Sequence, residues 1–223
     1  MRKIDKGLEP ESLRQFKRRH PHSRYADLAI TQRQDIRQAC AREQYYLCAY
    51  CCAPISGTSA DTRNEHVEAQ DWAPNRSLDF SNIVASCVTP RQCDAAHKTQ
   101  ALPLTPFMPE CETDLKFRLS GRVEGLTDAA RETIRVLNLG DTEANNKALV
   151  ERRRQLLESL IWQAYGAAPQ QLMAEDDELL AMLVEDLARP VDGKLAAYSP
   201  ALVNILQDRI RPMDPVNIRE KNR

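Results

Sequence analysis

Four cysteines in two close pairs constrain the fold of this chain more than any other feature. Cys48 and Cys51 are separated by two residues, and Cys87 and Cys93 are separated by five. Four thiolates supply a closed tetrahedral zinc site, and two close pairs are the usual sequence form of such a site. Cys52 follows Cys51 directly, so the second ligand of the first pair is one of these two residues.

Residues 48–100 contain few large apolar side chains, so we expect a structural zinc ion to hold this segment together. The pattern predicts a knuckle at 48–51 and a strand at about 63–67. A loop through residues 72–75, a second strand at 83–86 and a short helix from about 93 follow.

A Glu-His pair lies between the two cysteine pairs. The imidazole of His66 can activate water near neutral pH, and the carboxylate of Glu65 suits a hard divalent cation. Neighbouring positions on a strand point to opposite faces, so the two side chains would serve different purposes unless the strand ends there. In isolation this pair is more often a solvated Glu beside a packing His, and the flanking cysteines favour the catalytic interpretation.

Further polar residues surround this pair in the sequence. Asn82, just before the second strand, would hold the loop closed or orient His66, or be an ordinary turn residue. Asp94 and His97 are three positions apart, so a helix places them on one face, where either or both would complete a catalytic metal site with Glu65. The two cations of this segment that we expect to contact phosphate, unless they only add surface charge, are Arg91 and Lys98.

The remaining chain divides into three parts around this predicted nuclease core at 48–100. Residues 1–47 are predicted to form two helices, one from Pro10 to about His20 and one starting at a capping box of Thr31 and Gln34. Residues 101–126 are predicted to be a proline-rich linker and a hairpin around Ser120 and Gly121.

Residues 127–223 are predicted to be mostly helical and to dock a partner, unless these helices simply pack on each other. Thr127 and Thr142 are expected helix caps, and a second long helix is expected from about 170 to Ala188. The helix from 142 has an apolar face on Ala148, Leu149, Leu156, Leu157, Leu160, Ile161 and Tyr165. The polar tail at residues 209–223 is expected to be loose or ordered by a partner.

Charge is distributed unevenly although the formal net charge is only −1. Residues 1–47 contain eleven Lys or Arg and six Asp or Glu, whereas 175–188 contain six acidic residues and no basic ones. We expect Lys17, Arg18 and Arg19 to contact nucleic acid and the acidic segment to face a protein, although solvated helix faces carry similar charge.

No apolar run approaches the roughly 18 residues that a membrane span requires. The N-terminus is polar, and the seven cysteines are an odd number, which fits metal ligation and reduced thiols better than a disulfide framework. The sequence therefore predicts a cytoplasmic protein without a membrane partner.

The order Glu65-His66, Asn82, Cys93, His97 resembles the HNH endonucleases. The resemblance implies a zinc-stapled ββα-metal fold in which His66 is the general base and Asn82 is structural. It also implies that Glu65, with Asp94 or His97, holds Mg²⁺ or Mn²⁺. The chain departs from the family in having Glu-His where many members have Asp-His, and in the wide second cysteine pair.

A closer resemblance covers residues 1 to about 154. Segments including LCAYC, NEHVEAQ, LDFSNIVASC and CDAAHK are similar to the PtuB family, the HNH effectors of Septu and retron anti-phage defence systems. The resemblance implies a PtuA-like ATPase partner. In retron versions it also implies a reverse transcriptase whose RNA-linked DNA restrains the effector.

The sequence as a whole predicts an α+β chain, mainly helical, around a ββα-metal core with N- and C-terminal helical additions. The expected function is metal-dependent cleavage of DNA or RNA. The alternative is a non-catalytic zinc adaptor that binds nucleic acid or an ATPase through its charged faces, which would need neither Glu65 nor His66.

Overall fold

The structure is a computed structural model that describes residues 1–142 and 145–210, so most of the predicted polar tail lies outside the described residues. Eight α-helices and two antiparallel two-stranded sheets occupy the described ranges, which confirms a mainly helical α+β fold. The helices in these ranges all lack the combination of length and apolar composition that crossing a bilayer requires.

Two helices form the N-terminal part. Helix α1 spans Glu11–Arg19, buries Leu13 and ends before Pro21, as predicted. Helix α2 spans Ile30–Glu43. The predicted capping box was wrong by two residues, because Gln32 Oε1 accepts from the Ala29 amide at 2.7 Å while the Gln34 side chain instead donates to a distant carbonyl, that of Gly57.

The first sheet pairs strand β1, Thr62–His66, with strand β2, Ile83–Cys87. The register sets Thr62 opposite Cys87 and His66 opposite Ile83. Helix α2 packs on this sheet, and the buried Gln44 after it exchanges two hydrogen bonds with the backbone of Ala85, as a neighbouring strand would. The predicted strand, loop, strand order is therefore confirmed, and helix α3, Asp94–His97, follows within one residue of its expected start.

The second sheet is the predicted hairpin, with strand β3 at Leu115–Phe117 and strand β4 at Val123–Gly125. Gly121 in its turn has φ +85°, and a Cβ there would lie 2.1 Å from the Val150 carbonyl oxygen. This position therefore requires glycine, both for its left-handed backbone and for the close approach of the next long helix.

Five helices complete the described chain. Helix α4, Asp128–Leu137, has its N-cap at Thr127, as predicted. Helix α5, Lys147–Tyr165, begins later than predicted, because Asn146 and not Thr142 accepts a hydrogen bond from its first turn. Most of its predicted apolar face is buried or half-buried, but Ala148 is exposed.

The helix predicted from about 170 to Ala188 is two helices, α6 at Pro169–Leu172 and α7 at Asp177–Ala188. Asp176 Oδ1 accepts from the Leu179 amide at 2.8 Å, so an acidic residue that looked helical in the sequence caps a new helix. Helix α8, Ser199–Arg209, packs into the same core cluster as the cysteine segment, and the Tyr198 amide before it donates to the Cys52 carbonyl at 3.1 Å.

Candidate metal centre and catalytic site

The four predicted cysteines converge. Cys48, Cys51, Cys87 and Cys93 are all buried, and their sulfur atoms lie within 4.8 Å of one another. Cys48 Sγ is 3.8 Å from Cys93 Sγ, and Cys51 Sγ is 3.9 Å from Cys87 Sγ. Zinc–sulfur bonds of about 2.3 Å in a tetrahedron separate the sulfur atoms by about 3.8 Å, so this donor set fits zinc. The second ligand of the first pair is Cys51, because Cys52 is outside the cluster.

Two thiols of the cluster resist ionisation, whereas hydrogen bonds from the neighbouring thiols, that of Cys48 first, lower the pKa of Cys87. Burial raises the pKa of the Cys93 thiol well above its usual range, and the neighbouring Cys48 thiol is the main cause of a similar rise for Cys51. A bound divalent cation reverses this effect by stabilising thiolates directly. The arrangement is therefore costly as four separate ionised thiols and favourable as a metal site.

Local backbone and side-chain contacts build the cage, which is the group of sulfur atoms of Cys48, Cys51, Cys87 and Cys93. At the knuckle, the Cys48 amide donates to the Ala53 carbonyl at 2.8 Å, and the Cys87 amide donates to Cys48 Sγ at 3.3 Å. The wide gap of the second pair carries the buried Gln92 over the cluster, where its amide nitrogen lies 3.6 Å from Cys87 Sγ. Gln92 Oε1 also accepts from Asn146 Nδ2 at 3.2 Å, which links the cage to the start of α5.

Glu65 lies on β1, is only 6% exposed and faces the inside of the unit. Its Oε1 accepts from the Tyr50 hydroxyl at 3.3 Å and lies 2.5 Å from His97 Nδ1. Burial raises the pKa of Glu65 to about 7, and the neighbouring Asp94 carboxyl contributes to the rise. Two carboxyl groups close together in a buried place form a donor pair of the kind that binds a hard cation.

The two candidate metal ligands on α3, Asp94 and His97, differ in their surroundings. His97 is fully buried, and its Nε2 donates to the Gln100 carbonyl at 2.7 Å while Nδ1 faces Glu65, so both ring nitrogens are engaged. Asp94 is more accessible, with Arg63 Nε 3.7 Å from its Oδ2. The structure therefore brings Glu65, Asp94 and His97 together and leaves the Asp94 carboxylate nearer to solvent.

His66 is the last residue of β1 and points away from the surroundings of Glu65. Its Nε2 donates to the Ser77 carbonyl at 2.9 Å, and its ring packs edge-on against Tyr25, with the centroids 4.8 Å apart. Burial lowers the pKa of His66, which the Asp94 charge opposes. The hydrogen bond to Ser77 places the proton on Nε2 and leaves Nδ1 with a free lone pair.

Asn82 is buried and closes the loop between the two strands. Its Oδ1 accepts from the Glu68 amide at 2.8 Å, and its Nδ2 donates to the Glu68 carbonyl at 3.0 Å. Of the two roles open from the sequence, loop closure matches these contacts, since the Ser77 carbonyl orients His66 instead. A backbone carbonyl eleven residues away leaves no signal in the sequence, and Tyr50 and Gln92 were likewise not foreseen as contacts.

The predicted phosphate-contacting residues lie around separate clefts. Lys17, at the end of α1, lines a cleft of about 550 Å³ together with His20, His22, Arg24 and residues 74, 75 and 77–79 of the strand-connecting loop. Arg18 and Arg19 are exposed beside it. Ser77 lines this cleft, and its carbonyl accepts the hydrogen bond from His66 Nε2, so the cleft lies next to the contact that orientates His66.

Arg91 lines a different cleft, of about 440 Å³, with Lys147 and Arg152 at the start of α5. Lys98 is exposed directly after α3. Of the five residues predicted to contact phosphate, Lys17 alone lines the cleft at Ser77.

A scan against protein-family models finds no family that matches the chain, and a search of curated proteins finds no match.

Proposed function

We propose that this chain is a metal-dependent endonuclease of the HNH type, which hydrolyses phosphodiester bonds of nucleic acid. The observation that carries the proposal is the contact between Glu65 Oε1 on β1 and His97 Nδ1 on α3, which are 2.5 Å apart beside Asp94 and on the strand that ends at His66. A buried carboxyl group, a half-buried one and an orientated imidazole thus belong to one strand–strand–helix unit, in which four cysteines lie close enough together to hold a zinc ion.

His66 is the general base of the proposed reaction. Its Nδ1 is the ring nitrogen with a free lone pair, because Nε2 is committed to the Ser77 carbonyl. Burial keeps the imidazole neutral at physiological pH, so it can accept a proton from an attacking water molecule.

Glu65 and Asp94 are the residues that would hold the divalent cation, Mg²⁺ or Mn²⁺. Such a cation, when bound, would polarise the phosphodiester and stabilise the leaving oxygen. We assign His97 to positioning Glu65, because its Nε2 is already bonded to the Gln100 carbonyl and its Nδ1 faces the carboxylate. The proposal thereby chooses Asp94 over His97 as the second ligand.

The cleft at Ser77 is suited to the backbone of the substrate. Lys17 and Arg24 bring positive charge to it, opposed by Asp79 and by Glu9, which forms an ion pair with Lys17. Phosphate neutralisation by such side chains supplies most of the sequence-independent affinity for nucleic acid. The backbone of the substrate would thus be held next to the loop that contains Ser77.

The resemblance to PtuB extends the proposal to a toxic effector of an anti-phage complex that works with a PtuA-like ATPase. The charge distribution supports this part only in general terms, through a basic N-terminal segment and an acidic segment on α7. The adaptor alternative explains the cysteines equally well, but it assigns no role to the carboxyl pair of Glu65 and Asp94.

The test compares His66→Ala with Tyr25→Phe in zinc-loaded protein. Loss of a general base should lower Mg²⁺- or Mn²⁺-dependent cleavage of plasmid DNA or transfer RNA by about 10²–10⁴-fold, with zinc content unchanged. Tyr25→Phe keeps the ring against His66 and should retain most activity. Full activity of His66→Ala would refute the assignment, and zinc-loaded wild type that cleaves nothing with either cation would favour the adaptor.

A further inference from the structure

One large aromatic side chain near the proposed catalytic site is open to solvent. Trp72 is 78% exposed, and it lies in the loop that connects β1 to β2. Tryptophan is highly buried on average, because its ring offers more apolar area than any other side chain. An exposed Trp beside charged residues is therefore a feature that folding alone does not explain.

The ring of Trp72 is held in place although it is exposed. Its Nε1–H donates to the Thr99 carbonyl at 2.6 Å, and its backbone amide donates to the Ala69 carbonyl at 3.0 Å. The loop itself is fastened by the two hydrogen bonds between Asn82 and the backbone of Glu68. A fixed aromatic face loses little conformational entropy when a ligand packs on it.

The surroundings of Trp72 connect it to both halves of the proposed site. Thr99, its hydrogen-bond partner, directly follows the exposed Lys98 at the end of α3, the helix that starts with Asp94. In the other direction, the same loop continues to Ser77, which holds His66 and lines the basic cleft. The ring is thus fixed beside the end of α3, next in sequence to Lys98, and its loop leads to the residue that holds His66.

We propose that Trp72 stacks on an unpaired base of the nucleic-acid substrate while Lys98 contacts an adjoining phosphate, so that the chain acts on single-stranded segments. This inference rests on the proposed function and names its substrate class. Every base offers a π-face, and an aromatic ring beside a cation matches one nucleotide, its base on the ring and its phosphate on the ammonium group.

The base must be unpaired because a duplex covers both faces of each internal base with its neighbours. Single-stranded DNA and single-stranded RNA share the required chemistry, and the experiment includes both. Loss of one aromatic stacking contact weakens binding by about 5- to 150-fold.

Tryptophan fluorescence provides a direct test, because the chain has only two Trp residues. Trp162 lies on α5 and is 64% exposed, so Trp162→Phe leaves Trp72 as the single reporter. His66→Ala in the same chain permits binding without cleavage. The probes are mixed-sequence twelve-nucleotide DNA and RNA single strands and the blunt DNA duplex of the same sequence.

Either single strand should quench Trp72 fluorescence in a saturable way and bind more tightly than the duplex. Trp72→Leu should weaken single-strand binding, measured by anisotropy of a labelled probe, by about 5- to 150-fold, whereas Trp72→Phe should retain most of it. Both variants lose the hydrogen bond to Thr99, so their difference isolates the aromatic ring from the structure of the loop.

Equal binding by the Leu and Phe variants, no binding of either single strand, or tighter binding of the duplex would overturn the inference. Cleavage assays on the Trp72 variants with His66 intact also distinguish failure of this inference from failure of the proposed function. Cleavage that does not distinguish the two variants leaves the endonuclease standing without the stacking residue. Specific quenching by a chain that cleaves nothing leaves the stacking residue without the endonuclease.

Discussion

Replacement of Glu65 by Gln should stabilise the chain at neutral and alkaline pH when no divalent cation is bound at the carboxyl pair. Glu65 ordinarily titrates near 4.5, and its pKa in the folded chain is about 7, chiefly because the carboxyl is buried. The folded state therefore holds a proton that the unfolded state releases between these values. Stability falls as the pH rises through this window, and the penalty is complete above pH 7.

The size of this penalty follows from the same two values. At about 1.4 kcal/mol per pKa unit, the ionised Glu65 costs the fold about 3 kcal/mol above pH 8 and about 2 kcal/mol at pH 6. Gln has nearly the same shape and cannot ionise. We therefore expect Glu65→Gln to raise the melting temperature by about 6–12 °C at pH 8 and by less at pH 6, since a chain of this length gains about 2–4 °C per kcal/mol.

The assay is thermal and denaturant unfolding at fixed free zinc, from pH 6 to 8.5. Both chains keep the four cysteines, so the difference between them at each pH is independent of zinc loss. Added Mg²⁺ should raise the stability of the wild type and not that of the variant, since the cation binds the ionised carboxylate. Glu68→Gln, which removes an exposed ion pair with Arg76, is the matched control and should change stability by less than about 1 kcal/mol.

Two outcomes would refute this reasoning. If Glu65→Gln were less stable than the wild type at pH 8 without Mg²⁺, the ionised carboxylate would be favourably bound to His97 and would serve the fold. If Mg²⁺ stabilised both chains equally, the cation site would lie elsewhere. The first result would refute the cost assigned to ionised Glu65, and the second would remove Glu65 from the proposed metal ligands.

Three further predictions concern the cage and the partner. Cys51→Ser should lose zinc by elemental analysis and unfold, whereas Cys52→Ser should keep one zinc per chain, and an active, zinc-free Cys51→Ser protein would contradict the cage. The Gln92→Leu variant should bind zinc about 10–100-fold more weakly in competition with a chelator, because the amide of Gln92 borders three of the sulfur atoms. Unchanged zinc affinity would make Gln92 a packing residue only. Leu179→Lys combined with Met182→Lys, on the exposed face of α7, should leave the chain folded and reduce co-purification with the proposed ATPase, and undiminished co-purification would place docking on another surface.

The elements around the cysteines were predictable because their signals are local. A knuckle of two close cysteines, a strand at about 63–67 and a short helix from about 93 each depend on a few neighbouring residues, and the structure has them all within one residue. The same holds for Thr127, whose hydroxyl caps α4 as expected. The position of each residue in the sequence was enough to predict its role here, because no distant residue competes for these roles.

Predictions failed where several residues of the same type compete or where the partner is distant. Gln32 and Gln34 are chemically identical, and tertiary contact with the Gly57 carbonyl decides which of them caps α2. In the acidic segment, four successive carboxylates offer four caps, and the one at Asp176 breaks the expected helix. The partner of His66 is a backbone carbonyl, which every residue possesses and which no sequence pattern distinguishes.

The candidate cage also determines where the proposed catalytic groups lie. Cys87 ends β2, whose register positions His66 on β1, and Cys93 immediately precedes Asp94 at the start of α3. A zinc ion shared by these two cysteines would thereby set the distance between the proposed base and the proposed cation ligand. Through Gln92 the same cage reaches Asn146 and helix α5, and through the Cys52 carbonyl it reaches Tyr198. Without zinc, the contacts that hold Glu65 and Asp94 in place would therefore be lost. We expect removal of zinc to abolish Mg²⁺-dependent activity even though zinc takes no part in the proposed chemistry.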